Sequence, residues 1–210
     1  MLVGGLTRPQ APRTSVERDI LASEAQTKVE PKNAKAWQAY ADALVRAGRY
    51  GDASDAIRRG RLNVGQHPIF MSSEASILLS QGEWQAAIAK AREAVKLALK
   101  MRKARVEELS AKGIVSNPKA FYSDEIVVAE IMIAETYMAN GRNQESVDAY
   151  TRALAQSPLM ADVLTARGDV YASMKRYDEA RSDYDAALKY GPDYAPALEG
   201  LKNLGTEGAK

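Results

Sequence analysis

AKAWQAYADALVRAGRYGDASDAIRRGRL, residues 34–62, holds two amphipathic segments on either side of one glycine. Trp37, Tyr40, Ala41 and Leu44 fall at i, i+3, i+4 and i+7, one face of a helix. Gly48 stands where a helix end needs a positive φ. Tyr50, Ala53, Ile57 and Gly60 then mark the inner face of a second helix. The pattern recurs. Gly48, Tyr50 and Ala53 return 34 residues later as Gly82, Trp84 and Ala87. Tyr137, Tyr150, Ala153 and Pro158 return at the same spacing as Tyr171, Tyr184, Ala187 and Pro192. A period of this length, with small residues and aromatics at fixed offsets, belongs to stacked helical hairpins.

Four copies can be read. The second starts at Pro68, with Met71, Ala75 and Leu78 on its first helix and Trp84, Ala87, Ala91 and Ala94 on its second. The third starts near Val127, with Ala134, Tyr137, Gly141, Ser146, Tyr150 and Ala153. The fourth starts at Ala161, with Leu164, Gly168, Tyr171, Tyr177, Ala180, Tyr184 and Ala187, and carries Lys175 where the others turn on glycine. Ahead of them, Thr14 to Glu30 reads as a leading helix, with a Thr14–Glu17 capping box and an apolar face of Val16, Ile20 and Val29. Behind them, DYAPALEGLKNLG begins a helix that caps the open end.

These hairpins resemble tetratricopeptide repeats. The resemblance implies an all-α, right-handed α-solenoid of about ten helices and no strand. It sets a single domain over 14–204: repeats at about 34–67, 68–97, 127–160 and 161–194, an insertion at 98–124 and a capping helix at 194–204. Residues 205–210 form a tail. Residues 1–13 form a flexible tail, or else MLVGGL is the end of a trimmed membrane anchor and TRPQAPRTS its Pro-rich spacer.

The period breaks once. Gly82 to Gly141 is 59 residues, 25 more than the repeat. The apolar stripe Ala91, Val95, Ala98, Leu99, Val106 and Leu109 runs on past the usual helix end, to Gly113. This predicts one long helix from about Trp84 to Lys112, then a return segment and a new helix capped by Ser123. Ile114, Val115, Phe121 and Tyr122 are expected to fold back over the stripe. Residues 96–124 carry seven cations and three anions, a net +4 in a chain of net +2. Lys100, Arg102, Lys103 and Arg105 would form a basic ridge in solvent. The ridge lacks interleaved aromatics, and the small overall charge argues against a nucleic-acid partner.

Composition excludes much chemistry. Cysteine is absent, and the one histidine, His67, stands before Pro68 at an inter-repeat turn. That leaves neither a metal site of the usual kind nor a supported catalytic pair. Glu107–Glu108 and Asp178–Glu179 are neighbours along a helix and do not face one another. No enzyme, cofactor or metal is expected.

In the family resembled, the first helices of successive repeats line a groove that binds peptides. Mapped residue by residue, the groove positions are Lys35, Gln38, Asp42 and Arg46, then Ile69, Ser72, Ser76 and Leu79. The third repeat adds Val128, Ile131, Glu135 and Met138, and the fourth adds Asp162, Thr165 and Asp169. A competing reading has Ile69, Val128 and Ile131 covered by the insertion or the leading helix. Chaperone-binding members hold a terminal carboxylate with Lys and Asn. Gln38, Asp42, Ser72 and Ser73 occupy that region here, so the clamp is absent. The expected function is a non-catalytic protein-interaction scaffold or assembly factor with a polypeptide in the groove. The alternative is a membrane- or nucleic-acid-associated adaptor using the basic helix over 96–112.

Overall fold

The computed structural model describes residues 14–207. Among them are ten α-helices, one short 3-10 turn and no strand. Residues 1–13, on which the tail and anchor readings fall, lie outside the described residues, as do 208–210. Two compact units are present, one running to Gln66 and the other starting at His67.

The first unit holds α1 (Ser15–Val29), α2 (Ala34–Arg46) and α3 (Tyr50–Val64). The capping box forms: the Glu17 amide donates to Thr14 Oγ1, and the Thr14 amide donates to Glu17 Oε2, both at 3.1 Å. A cap of this kind is worth about 1 kcal/mol. Asn33 caps α2 by accepting from the Lys35 amide. Trp37 is buried, and its indole N–H donates to the Pro31 carbonyl at 2.9 Å. Leu44, Ala53 and Ile57 are buried with it. The leading helix departs from its predicted face. Ile20 is buried, but Val29, the last residue of α1, is 75% exposed, and Thr27 is buried instead. Thr27 satisfies its hydroxyl on the Glu24 carbonyl of its own helix.

The second unit holds α4 (Pro68–Ser80), α5 (Trp84–Ala111), α6 (Ser123–Ala139), α7 (Asn143–Gln156), α8 (Ala161–Ser173), α9 (Tyr177–Tyr190) and α10 (Ala195–Glu207). The last helix runs three residues past the predicted 204, into the stretch read as a tail. Each helix packs on the next, and α4 on α6 and α8 on α10 also touch directly. One core joins Ala75, Ala87, Ala134, Tyr150, Ala153 and Tyr184. His67 is structural: its Nδ1 accepts from the Ile69 amide and so caps α4.

The hairpin turns share one geometry. Gly82, Gly141 and Lys175 all have positive φ, and the next amide reaches back to the carbonyl five residues before it: Glu83 to Leu78, Arg142 to Tyr137, Arg176 to Tyr171. Gly48 makes the same turn in the first unit. This helix-ending motif needs a left-handed residue. Glycine enters that region freely, whereas Lys175 does so at φ 60° against its own Cβ.

The long helix forms as predicted. α5 has 28 residues, against 14 in α7 and α9. It ends on the same motif at Gly113, with the Ile114 amide on the Leu109 carbonyl. Three local expectations change. Ser123 is not the cap of α6; Tyr122 is, at φ 56°. The Ser123 hydroxyl donates to the Lys119 carbonyl instead. Leu99 is exposed, and the return segment is held to α5 by Arg102, which interrupts the apolar stripe. Ile114 and Val115 do not fold back: the turn at Gly113 leaves them 50% and 100% exposed. Phe121 and Tyr122 are half-buried: the Arg105 guanidinium lies 5.9 Å from the Phe121 ring centre, and Tyr122 lies beside His67, which caps α4.

Three substitutions test this packing. Lys175→Gly removes the left-handed penalty and should stabilise the protein by about 1 kcal/mol, seen as a higher Tm. Gly200→Ala would place a Cβ 2.5 Å from the Tyr184 ring, which is itself buried. Alanine normally gains about 1 kcal/mol over glycine in a helix. Here overpacking of about 1–3 kcal/mol should reverse the sign. Gly51→Ala, with open space around the new Cβ, should instead raise Tm.

Candidate peptide-binding face

The groove positions divide sharply by exposure. In the first unit Lys35 is exposed, and Gln38 and Asp42 are half-buried on α2. Burial raises the Asp42 pKa, opposed by the charge of Arg46. In the second unit Ile69 and Ser72 on α4 are buried, Ser76 is half-buried and Leu79 is exposed. The hydroxyls of Ser72 and Ser73 are buried without a hydrogen-bond partner. Val128 is exposed on α6 with Glu135 and Met138, and Ile131 is half-buried. Of the three residues in the competing reading, Ile69 alone is therefore buried. On α8, Asp162 and Asp169 are exposed, while Thr165 is buried and donates to the Ala161 carbonyl.

Glu135 and Asp169 converge. Both carboxylates act on the phenol of Tyr150, whose pKa is pushed up to about 12, chiefly by burial and then by these two charges. Asp169 also accepts from the Tyr184 hydroxyl at 2.7 Å. Burial against neighbouring helices holds the Glu135 carboxyl above its ordinary pKa. The same cause raises Asp169, partly offset by the bond from Tyr184. Burial and the bond to Asp169 in turn raise the Tyr184 phenol. Neither carboxylate has an ion pair among the described residues.

Beside Asp169 a cleft of about 400 Å³ opens between α8 and α10. Tyr184 and Gly200 line it, Asp169 and Glu199 supply carboxylates, and Asn203 and Leu204 complete the lining. Glu199 and Asn203 were not among the groove positions read from the sequence. The signal was present: they stand 34 residues after Thr165 and Asp169, so the register runs on into α10. Reading that helix only as a cap hid it.

The basic ridge loses one member. Lys100 and Lys103 are exposed, and Arg105 is exposed and pairs with Glu108 at 2.7 Å. Arg102 is turned inward. It donates to the Phe121 carbonyl, Gln156 Oε1 and Ser123 Oγ, each at 2.9 Å, and ties α5 to the return segment, α6 and α7. Three acceptors in one place match the planar guanidinium better than solvent would. Among the described residues no helix is long and apolar enough to cross a membrane.

The sequence model of the Tetratricopeptide repeat matches residues 39–100 and 131–198. No curated protein sequence matches the chain. Solved structures share the fold. TTC0263, a thermophilic TPR protein of Thermus thermophilus, superposes with a TM-score of 0.60 at 15% identity, over 89% of this chain and 87% of that one. PilF of Pseudomonas aeruginosa gives 0.61 at 13% identity, over 92% and 77%. YrrB, described as a TPR protein with an unusual peptide-binding site, gives 0.53 at 17% identity, over 89% and 84%. With more than half of its length matched by the family and its helices paired into these hairpins, the chain belongs to the tetratricopeptide repeat family.

Proposed function

We propose that this protein is a docking scaffold or assembly factor that holds a polypeptide against the first helices of its repeats, with cationic side chains of the partner received by α8 and α10. Proteins of this family generally bind other proteins or peptides and are in general non-catalytic. The observation that carries the finer reading is the pair of partly desolvated carboxylates without ion pairs among the described residues, Glu135 and Asp169, the second of which lines an open cleft that also bears Glu199. A carboxylate kept partly out of water, with no cation of its own, is stabilised by one that a ligand brings. Val128 and Met138, exposed on α6, offer apolar contact along the same helix as Glu135. The cleft has Pro196 and Ala172 for the stem of a lysine or arginine and acids for its head. Complementary charge of this sort fixes the direction of a bound chain more than its total affinity.

Selection of displayed random peptides on the immobilised protein tests the reading. Enriched sequences should carry Lys or Arg next to apolar residues. The Asp162→Lys, Asp169→Lys double variant should fold normally and bind such a peptide at least about tenfold more weakly, a loss of about 1.4 kcal/mol. Enrichment of acidic sequences, or an unchanged affinity, would overturn it.

The raised carboxyls add a pH test. A carboxyl with a raised folded-state pKa contributes stability that is complete below its unfolded pKa and is lost as pH rises through the folded one. Glu135 and Asp169 therefore destabilise the free protein once both are charged. A bound cation favours the charged forms, so peptide affinity should rise with pH just above the ordinary carboxylate range. Titration calorimetry across that interval, with Glu135→Gln, Asp169→Asn as the comparison, should show the slope in the parent and a flatter one in the variant.

A further inference from the structure

The end of the lengthened hairpin has no role in the peptide face. α5 overruns its siblings by about 14 residues, roughly 20 Å of helix. Its final turn closes at Gly113 (φ 71°), with the Gly113 amide on the Ser110 carbonyl and the Ile114 amide on Leu109. The next two residues, Ile114 and Val115, are thrown into solvent, Val115 completely. They are not on a loose loop. The return segment is fixed by Arg102 to Phe121 and Ser123, and by Asn117, which accepts from the Lys119 amide. Beside the apolar pair lies a depression of about 320 Å³, bordered by Val106, Ser110 and Ser116.

Behind the tip sits positive charge. Lys96 and Lys100 are exposed on α5 and have no acidic partner among the described residues. Lys103 meets Glu107 only at 3.8 Å, with both side chains well exposed. Glu108 is shared between Arg105 and Lys112, which hold its carboxyl below the usual range. The net +4 over 96–124 exceeds the +2 of the whole chain, so the remaining residues sum to −2. Positive charge is thus gathered on the helix that leads directly into the exposed Ile114 and Val115.

We propose that the tip of the α5 hairpin is a membrane-surface site: Ile114 and Val115 enter the headgroup–acyl boundary of an anionic bilayer while Lys103, and behind it Lys100, reach its phosphates. The order of groups argues for this partner. A bilayer presents anions at its surface and an apolar phase just beneath them, and binding scales with both apolar area and charge. A nucleic acid offers the phosphates but no apolar phase for Val115. This site is independent of the peptide face, which is built on α6, α8 and α10.

Co-sedimentation of the protein with vesicles of mixed phosphatidylglycerol and phosphatidylcholine, against pure phosphatidylcholine, tests it. The protein should pellet with the anionic vesicles and not with the neutral ones. Ile114→Ser, Val115→Ser should weaken that binding by at least about tenfold with an unchanged circular dichroism spectrum. Lys100→Glu, Lys103→Glu should weaken it comparably. A Val115→Trp variant should shift its emission to the blue with anionic vesicles only. No binding to either vesicle overturns the proposal. So does undiminished binding by the Ile114, Val115 variant, which would leave charge alone as the cause. Tighter binding to duplex DNA, lost on charge reversal and indifferent to the tip, would replace the membrane by a nucleic acid.

Discussion

Close approach of paired helices is possible only where one of them ends at Cβ or lacks it, and everything else in this chain is arranged around that condition. The positions are Ala41, Ala75, Ala134 and Gly168 on the first helices and Ala53, Ala87, Ala153 and Ala187 on the second, all buried. Large side chains then fill the space between elements: Tyr150 and Tyr184, buried at equivalent places in the last two repeats, each worth roughly 1.5–3 kcal/mol of burial or more. The last repeat goes further than its sibling. Where α6 has Ala134, α8 has Gly168, and the Tyr184 ring sits 2.7 Å from where a Cβ would be. Gly200 on α10 admits the same ring from the other side. A phenol so placed brings its hydroxyl to Asp169 and lines the cleft between α8 and α10. The packing rule and the candidate site are thus one piece of geometry.

Period and residue type made most of the fold legible. A 34-residue spacing of small and aromatic residues specifies which faces meet, and the turns follow even at Lys175, where register outweighs residue preference. Misreadings came where a side chain's partner lies far along the chain. Arg102 looked like one cation among four, since Phe121, Ser123 and Gln156, its acceptors, are 19, 21 and 54 residues away. Val29 fits an apolar period but stands at a helix end, where no neighbour covers it. Ile114 and Val115 are apolar enough to pack, and their direction is decided instead by the backbone at Gly113. Of the face itself, Asp169 and Glu135 were legible as positions. Their shared influence on Tyr150, and the continuation to Glu199 and Asn203, needed the helices in place.

The lengthened hairpin raises a question of energetics that Arg102 answers. A helix that outruns its neighbours loses their apolar cover and must hold its return segment by other means. Isolated surface ion pairs would do little, since such pairs are worth about 0–1 kcal/mol. A half-buried guanidinium with three neutral acceptors is a different case: each bond is charge-assisted, and none requires burying a carboxylate. Because those acceptors come from the return segment, α6 and α7, the base of the projection is fixed to the repeats while its end stays free of them. The apolar pair at Ile114 and Val115 therefore stands between two fixed points, the turn at Gly113 and the Arg102 bond to Phe121, which shortens the stretch left to order on contact with a partner. The acidic face works the other way, since burial disfavours the charged forms of Glu135 and Asp169, at Asp169 against the bond from Tyr184, and a cation brought by the proposed partner would favour them. One surface is built on satisfied hydrogen bonds, the other on carboxylates without an ion pair among the described residues, of which Asp169 has the Tyr184 hydroxyl. That difference makes the peptide face the one whose affinity should depend on proton concentration and the hairpin tip the one whose affinity should depend on exposed apolar area.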